Sequence, residues 1–294
     1  PPQWRPRLIA SGGNDSDTAW TETLSREVKN QADAISFHYY TIPTGSWEKK
    51  GAATGFGEDQ WISTLAATLR MDASIRKNVA ILDKNDPEKK LGFAVDEWGT
   101  WYDAAPGANP GFLYQDNTLR DAIVAALNFN VFHAHADRVR MTNIAQMVNV
   151  LQAMILTDKE RMLLTPTYHA YRMYVPFQDA KSVPVAIDGN ADYKLGALSV
   201  PQVSASAAIG KDGKLYLALV NTDPHQEAEV DLAVAGRKVA HARGQVLTAA
   251  AMDARNSFTA PQAVKPAPYA ADAQGGKLAL RLPAKSVVVT ALEE

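Results

Sequence analysis

The sequence predicts an α/β architecture followed by an all-β one, and three observations carry that prediction. Up to about residue 177, short apolar runs alternate with long stretches of helical period. Beyond it the helical period disappears and short alternating segments take over. One apolar run ends abruptly in two adjacent carboxylates and an aromatic cluster, Asp96-Glu97-Trp98-Gly99-Thr100-Trp101-Tyr102. Strands alternating with helices imply parallel βαβ units, whereas regularly spaced short strands with turn chemistry imply an antiparallel β-sandwich.

Taken in order, Arg7 to Ser11 reads as a strand, and Thr18 to Gln31 as a helix with apolar residues at helical spacing. Ala34 to Tyr40 is a second strand and Asp59 to Ile81 a long helix. Leu91 to Glu97 is a third strand, followed by a helix from Asn117 to Phe132 on which Leu119, Ile123, Leu127 and Val131 share one face. Arg138 to Met141 is a short fourth strand, and Ile144 to Leu156 reads as an apolar helix. The second part offers strands at Val203 to Ile209, Leu215 to Asn221, Glu229 to Val234, Gln245 to Thr248, Leu278 to Leu282 and Ser286 to Leu292. Lys211-Asp212-Gly213-Lys214 between the first two is a hairpin signal. The division expected is 1–177 and 178–294. A closed β/α barrel needs eight units and typically ~250 residues. Only four are present, so the first part is either a small open layer or the back half of a barrel.

Composition narrows the function classes. With 46% apolar and 21% charged residues and a net charge of -2, the 294-residue chain reads as globular and has no basic stripe for nucleic acid. No apolar stretch reaches the ~18 residues of a membrane span, and no signal peptide is visible. Cysteine is absent, which removes disulfides and thiolate metal sites but leaves open whether the compartment is cytoplasmic, periplasmic or extracellular. The chain opens Pro1-Pro2-Gln3-Trp4 with no initiator Met, so an upstream segment is expected.

An acid at the C-terminal end of a barrel strand reads as catalytic. A carboxylate ringed by Trp and Tyr also suits glycoside cleavage, with the acid at the anomeric carbon and flat rings on the sugar faces. Glu97 is the second acid at the strand end. Asp96 is expected to face the other way, because side chains alternate along a strand.

Five segments make the case specific: ISFHYY at 35–40, AVDEWGTWY at 94–102, FLYQDNTLRDAIVAALNF at 112–129, ADRVRMTNIAQMVNVLQAMI at 136–155 and YRMYVPFQ at 171–178. From Ala34 to about Pro184 the chain resembles the second half of a glycoside hydrolase family 51 α-L-arabinofuranosidase. LVNTD at 219–223 and LPAKSVVV at 282–289 resemble that family's C-terminal domain more loosely. The resemblance implies the last four units of a (β/α)8 barrel and a jelly-roll-like sandwich. It also implies a retaining enzyme that releases terminal α-L-arabinofuranosyl residues, with Glu97 as nucleophile. His38 and Tyr40 then lie beside the nucleophile, Gln146 contacts the sugar, and Trp101 forms a subsite wall. The family usually carries Asn where this chain has Gly99, which puts one supporting hydrogen bond in doubt.

A retaining glycosidase needs a second carboxyl about 5.5 Å from the nucleophile. The family takes it from an Asn-Glu pair after the fourth barrel strand, and this chain holds no Asn-Glu pair. Glu22, Glu27, Glu48 and Glu58 fall on helices or a loop, so the acid/base is expected upstream. The implied partners are an arabinose-containing saccharide and the upstream half of the same protein. A homo-oligomer is in keeping with the family. An endoglucanase, a β-xylosidase or a non-catalytic carbohydrate-binding fragment stays open. Half a barrel should expose two long parallel edge strands.

Other features are read as structural. His133 and His135 are assigned to a helix-to-strand connection rather than a metal site, and no metal or cofactor is expected. Met141, Met147, Met154 and Met162 are expected in the core. Gly12-Gly13 lacks phosphate-loop spacing, and Asp86 to Lys90 is expected to be a solvated loop.

Overall fold

The computed structural model describes residues 5–15 and 17–294; Pro1 to Trp4, with the upstream expectation attached to them, lie outside the described residues. The first part runs β1 (Ile9–Ala10), α1 (Thr18–Glu27), β2 (Ala34–Thr41), α2 (Glu58–Asn85), β3 (Gly92–Thr100), α3 (Leu119–Ala134) and β4 (Val139–Ile144). The four strands form one parallel sheet in the order β1-β2-β3-β4. This is four consecutive βα units of a barrel wall. One edge is shorter than expected, β1 having two residues rather than the five of Arg7 to Ser11, while β4 at the other edge runs six and extends past the expected end at Met141.

β2 shows why the sheet sits where it does. Ile35, Phe37 and Tyr39 are buried under α2, where the Tyr39 hydroxyl donates to the Ala67 carbonyl at 2.6 Å. Ser36, His38 and Tyr40 turn to the opposite face, as a two-residue period requires. α2 begins with Glu58 and Asp59, two negative charges at the positive end of its dipole. α3 opens on a capping box between Thr118 and Asp121.

β3 departs from simple alternation. Ser36 and His38 of β2 face Ala94 and Glu97, while Val95 and Trp98 face Thr142 and Ile144 of β4. One extra residue is therefore inserted in β3 relative to both neighbours, a bulge. Val95 and Trp98 both reach the helix layer, where Trp98 meets Phe129 and Phe132 with ring centres 5.8 and 5.3 Å away. Asp96 and Glu97 both turn to the Ser36–His38–Tyr40 face. The expectation that Asp96 faces away is thus wrong: the bulge breaks the parity on which it rested.

The helix expected from Ile144 to Leu156 is also absent. β4 runs on to Ile144, and a loop then leads into the hairpin β5 (Ile155–Asp158) and β6 (Arg161–Leu164). Asn149 and Leu151 adopt left-handed φ of 60° and 52°, which a helix cannot hold. The Asn149 side chain binds both the backbone N–H and the hydroxyl of Thr157, each at 2.7 Å. Met141, Met147 and Met162 are 38%, 61% and 64% exposed instead of core, because they sit on the edge strand, this loop and this hairpin. Asp86 is buried rather than solvated, paired with the fully buried Arg138 at 2.8 Å.

The second part follows α4 (Pro166–Tyr174) with β7 (Lys181–Val183), β8 (Asp192–Leu195), β9 (Leu198–Pro201), β10 (Val203–Ile209), β11 (Leu215–Asn221), β12 (Ala228–Leu232), β13 (His241–Leu247), β14 (Ala267–Asp272), β15 (Leu278–Leu282) and β16 (Ser286–Glu293). Six of them form an antiparallel sheet ordered β14-β13-β16-β11-β10-β7, and β12 pairs with β15 in a facing layer. The sheet is apolar on both sides. Ala218, Val220, Val287 and Val289 join the core beneath α3 and α4, while Leu217, Leu219 and Val288 pack with Leu280 and Leu282. The Lys211–Lys214 turn closes β10 on β11 as expected, with Gly213 at φ 78°. No helix among the described residues is long and apolar enough to cross a membrane.

Candidate active site

The C-terminal ends of β1 to β4 lie at one end of the parallel sheet, and the polar residues gather there. The Tyr40 hydroxyl donates to Glu97 Oε1 at 2.8 Å. His38 stands between the two acids, Nδ1 3.6 Å from Glu97 Oε2 and Nε2 3.4 Å from Asp96 Oδ1. Ser36 donates to the same Asp96 oxygen at 2.6 Å. Burial, and then the Glu97 carboxylate, push the Tyr40 phenol well above its ordinary range, so it is a permanent donor. Glu97 keeps 44% of its side chain exposed: its second oxygen is unclaimed by a short bond and open to a ligand.

Trp101 joins this cluster through Tyr40, with ring centres 5.0 Å apart at 70°, and the Lys50 ammonium lies 5.9 Å over the Trp101 ring. A residue that sequence reasoning passed over completes the group. Trp47, on the connection between β2 and α2, sits 5.4 Å from Trp101 and 6.2 Å from Tyr40, edge to face with both. It lies in an aperiodic loop, and only its aromatic character could have signalled it. A cleft of about 240 Å³ is lined by Glu97, His38 and Tyr40 together with Trp47, Asn14, Asp15 and Arg70.

Gln146 follows the end of β4, the strand beside β3, and is exposed. Its backbone N–H binds the Val150 carbonyl at 3.0 Å. It is thus at the same end of the sheet as Glu97 but does not line the cleft. Gly99 has φ 152°, and a Cβ there would lie 3.2 Å from the Cβ of Gln152. Gln152 occupies that space instead, accepting from the Thr100 N–H at 2.9 Å and donating to the Asp121 carbonyl at 2.7 Å.

Asp15 and Glu97 are the carboxylates lining the cleft among the described residues. Glu58 is committed elsewhere, accepting from Tyr193 at 2.8 Å and pairing with His225 at 2.9 Å. Glu22 pairs with Arg26 and Lys84. His133 and His135 are engaged separately, with Ser206 at 2.9 Å and Asp72 at 2.7 Å, so they do not converge on one point. A larger cavity, about 640 Å³, lies against α3, α4 and β4 and touches none of the Glu97 cluster.

Residues 96–286 match the family model for the α-L-arabinofuranosidase C-terminal domain. An intracellular exo-α-L-arabinofuranosidase of Bacteroides ovatus is 43% identical over 286 residues, which cover 97% of this chain and 55% of the relative. The solved GH51 arabinofuranosidase of Xanthomonas axonopodis pv. citri superposes at a TM-score of 0.96 with 49% identity, over 100% of this chain and 59% of that one. The α-L-arabinofuranosidase of Thermotoga maritima, solved as an arabinose complex, reaches 0.77 at 24% identity over 98% of this chain and 58% of that one, a likeness of fold alone. The chain therefore spans somewhat more than half the length of these three relatives.

Proposed function

Since the chain belongs to the α-L-arabinofuranosidases of glycoside hydrolase family 51, we propose that it forms the nucleophile-bearing part of a retaining exo-α-L-arabinofuranosidase. Residues 1–177 are its share of the catalytic barrel and 178–294 its sandwich domain. The observation that carries the reading is the pose of Glu97: one oxygen fixed by Tyr40 at 2.8 Å, the other free at the mouth of an aromatic cleft.

The chemistry follows from that pose. Glu97 Oε2 attacks the anomeric carbon of an arabinofuranosyl unit, and the bond to the leaving oxygen breaks. The leaving oxygen keeps the electron pair and takes a proton from a second carboxylic acid. That group belongs to the part of the relatives' length that this chain does not span. Water, deprotonated by the same second carboxylate, then cleaves the glycosyl ester and restores Glu97. Tyr40 holds the nucleophile's orientation through both steps, His38 braces it against Asp96, Trp101 backs the Tyr40 ring and walls a sugar subsite beside it, and Gln146 offers an amide to sugar hydroxyls.

The test uses the full-length enzyme with an aryl α-L-arabinofuranoside, the first-formed sugar being read by proton NMR. The α-anomer should appear first, and Glu97→Gln should abolish the reaction. Equal rates in wild type and Glu97→Gln would overturn the assignment.

A further inference from the structure

We infer that Trp47 is the platform on which the substrate's leaving-group sugar stacks, and so sets selectivity for the portion beyond the scissile bond. The inference deepens the proposed function and rests on Glu97 being the nucleophile.

A loop indole left 57% exposed could mean only that the loop is loose, but this loop is fastened at several points. Asp103 accepts from the N–H groups of Lys50 and Gly51, each at 3.1 Å. Gln60 accepts from Ala52 N–H at 3.1 Å. Behind them the fully buried Arg120 donates to the Ala52 carbonyl at 2.7 Å. Its guanidinium is held between the rings of Phe56 and Tyr102, 3.5 and 4.3 Å from their centres. The fixed loop thus presents a large apolar ring to water, which folding alone does not require.

Position says what the ring meets. Tyr40 bonds Glu97 directly, whereas Trp47 meets the ring of Tyr40 edge to face, ring centres 6.2 Å apart. A ring that meets Tyr40 and not the carboxylate, in the same cleft, suits the sugar next to the one attacked. Asn14, Asp15 and Arg70 line the same cleft as Trp47, polar groups suited to the hydroxyls of a bound saccharide. An indole beside such groups fits a ring with an apolar C–H face and a hydroxylated edge.

The full-length wild type, Trp47→Ala and Trp47→Phe are compared on two glycosides, an α-L-arabinofuranosyl disaccharide and methyl α-L-arabinofuranoside, whose leaving group has no ring. The readout is the ratio of the two kcat/KM values. Trp47→Ala should lower that ratio roughly ten-fold and Trp47→Phe should restore most of it. An unchanged ratio, whether both rates fall together or neither moves, would overturn the inference. A wild type that hydrolyses neither glycoside would overturn the nucleophile reading beneath it.

Discussion

Tyr40 donates its phenolic hydrogen to Glu97 Oε1 across 2.8 Å, tying the end of β2 to the bulged end of β3. The bond joins two elements 57 residues apart in sequence and leaves Glu97 with one oxygen held and one free. Because the phenol is held far above its ordinary range by burial and by Glu97, the donor does not titrate under working conditions.

Tyr40→Phe removes that donor while keeping the ring that packs on Trp101. Activity of the full-length enzyme should fall about ten- to hundred-fold, mostly in kcat, as expected on losing a hydrogen bond that positions a reacting group. The thermal midpoint should move little. Steady-state kinetics beside a melting curve check both.

Arg138 carries the stability of the β3–β4 edge. Its fully buried guanidinium binds Asp83 and Asp86 at 2.8 Å and the Leu91 carbonyl at 2.8 Å. Burial works against an ionised Asp86, yet Arg138 and the N–H groups of Leu91 and Lys90 outweigh it and hold the carboxyl below its usual range. Arg138→Ala strands that buried charge and should cost about 3–5 kcal/mol. Arg138→Lys should recover only part, lacking the planar fork. Urea denaturation measures both.

His133 lies face to face with Phe177 at 4.8 Å and bonds Ser206. Burial lowers its pKa from 6.5 to about 4. The unfolded chain takes up this proton first as pH falls. The contribution to stability is therefore complete above pH ~6.5 and is lost progressively down to about pH 4. Its ceiling is about 3–4 kcal/mol. His133→Phe should flatten the stability-against-pH curve across that window, read by denaturation at a series of pH values.

Much of this was legible from residues alone. The alternation in ISFHYY placed His38 and Tyr40 on one face of β2, and the carboxylates after Val95 marked the strand end that carries the site. The bulge at Asp96 was not legible, because a two-residue period gives no sign of an inserted residue; only the pairing with β2 and β4 reveals it. The false helix has an equally definite cause. Ile144, Met147, Val148, Leu151 and Ile155 repeat at helical spacing, yet the backbone turns left-handed at Asn149 and Leu151. Trp47 belongs to no periodic segment, so three-dimensional proximity alone brings it to Tyr40. The three- and four-residue strands β7, β8 and β9 were too short to show a period at all.

The role of Glu97 is tested most directly by replacing it with alanine in the full-length enzyme and adding azide with an activated aryl α-L-arabinofuranoside. If Glu97 is the nucleophile, Glu97→Ala is close to inactive. Azide then enters the space left by the carboxylate and restores turnover, yielding the β-configured arabinofuranosyl azide. A Glu97→Ala enzyme that hydrolyses the substrate at the wild-type rate would contradict the account.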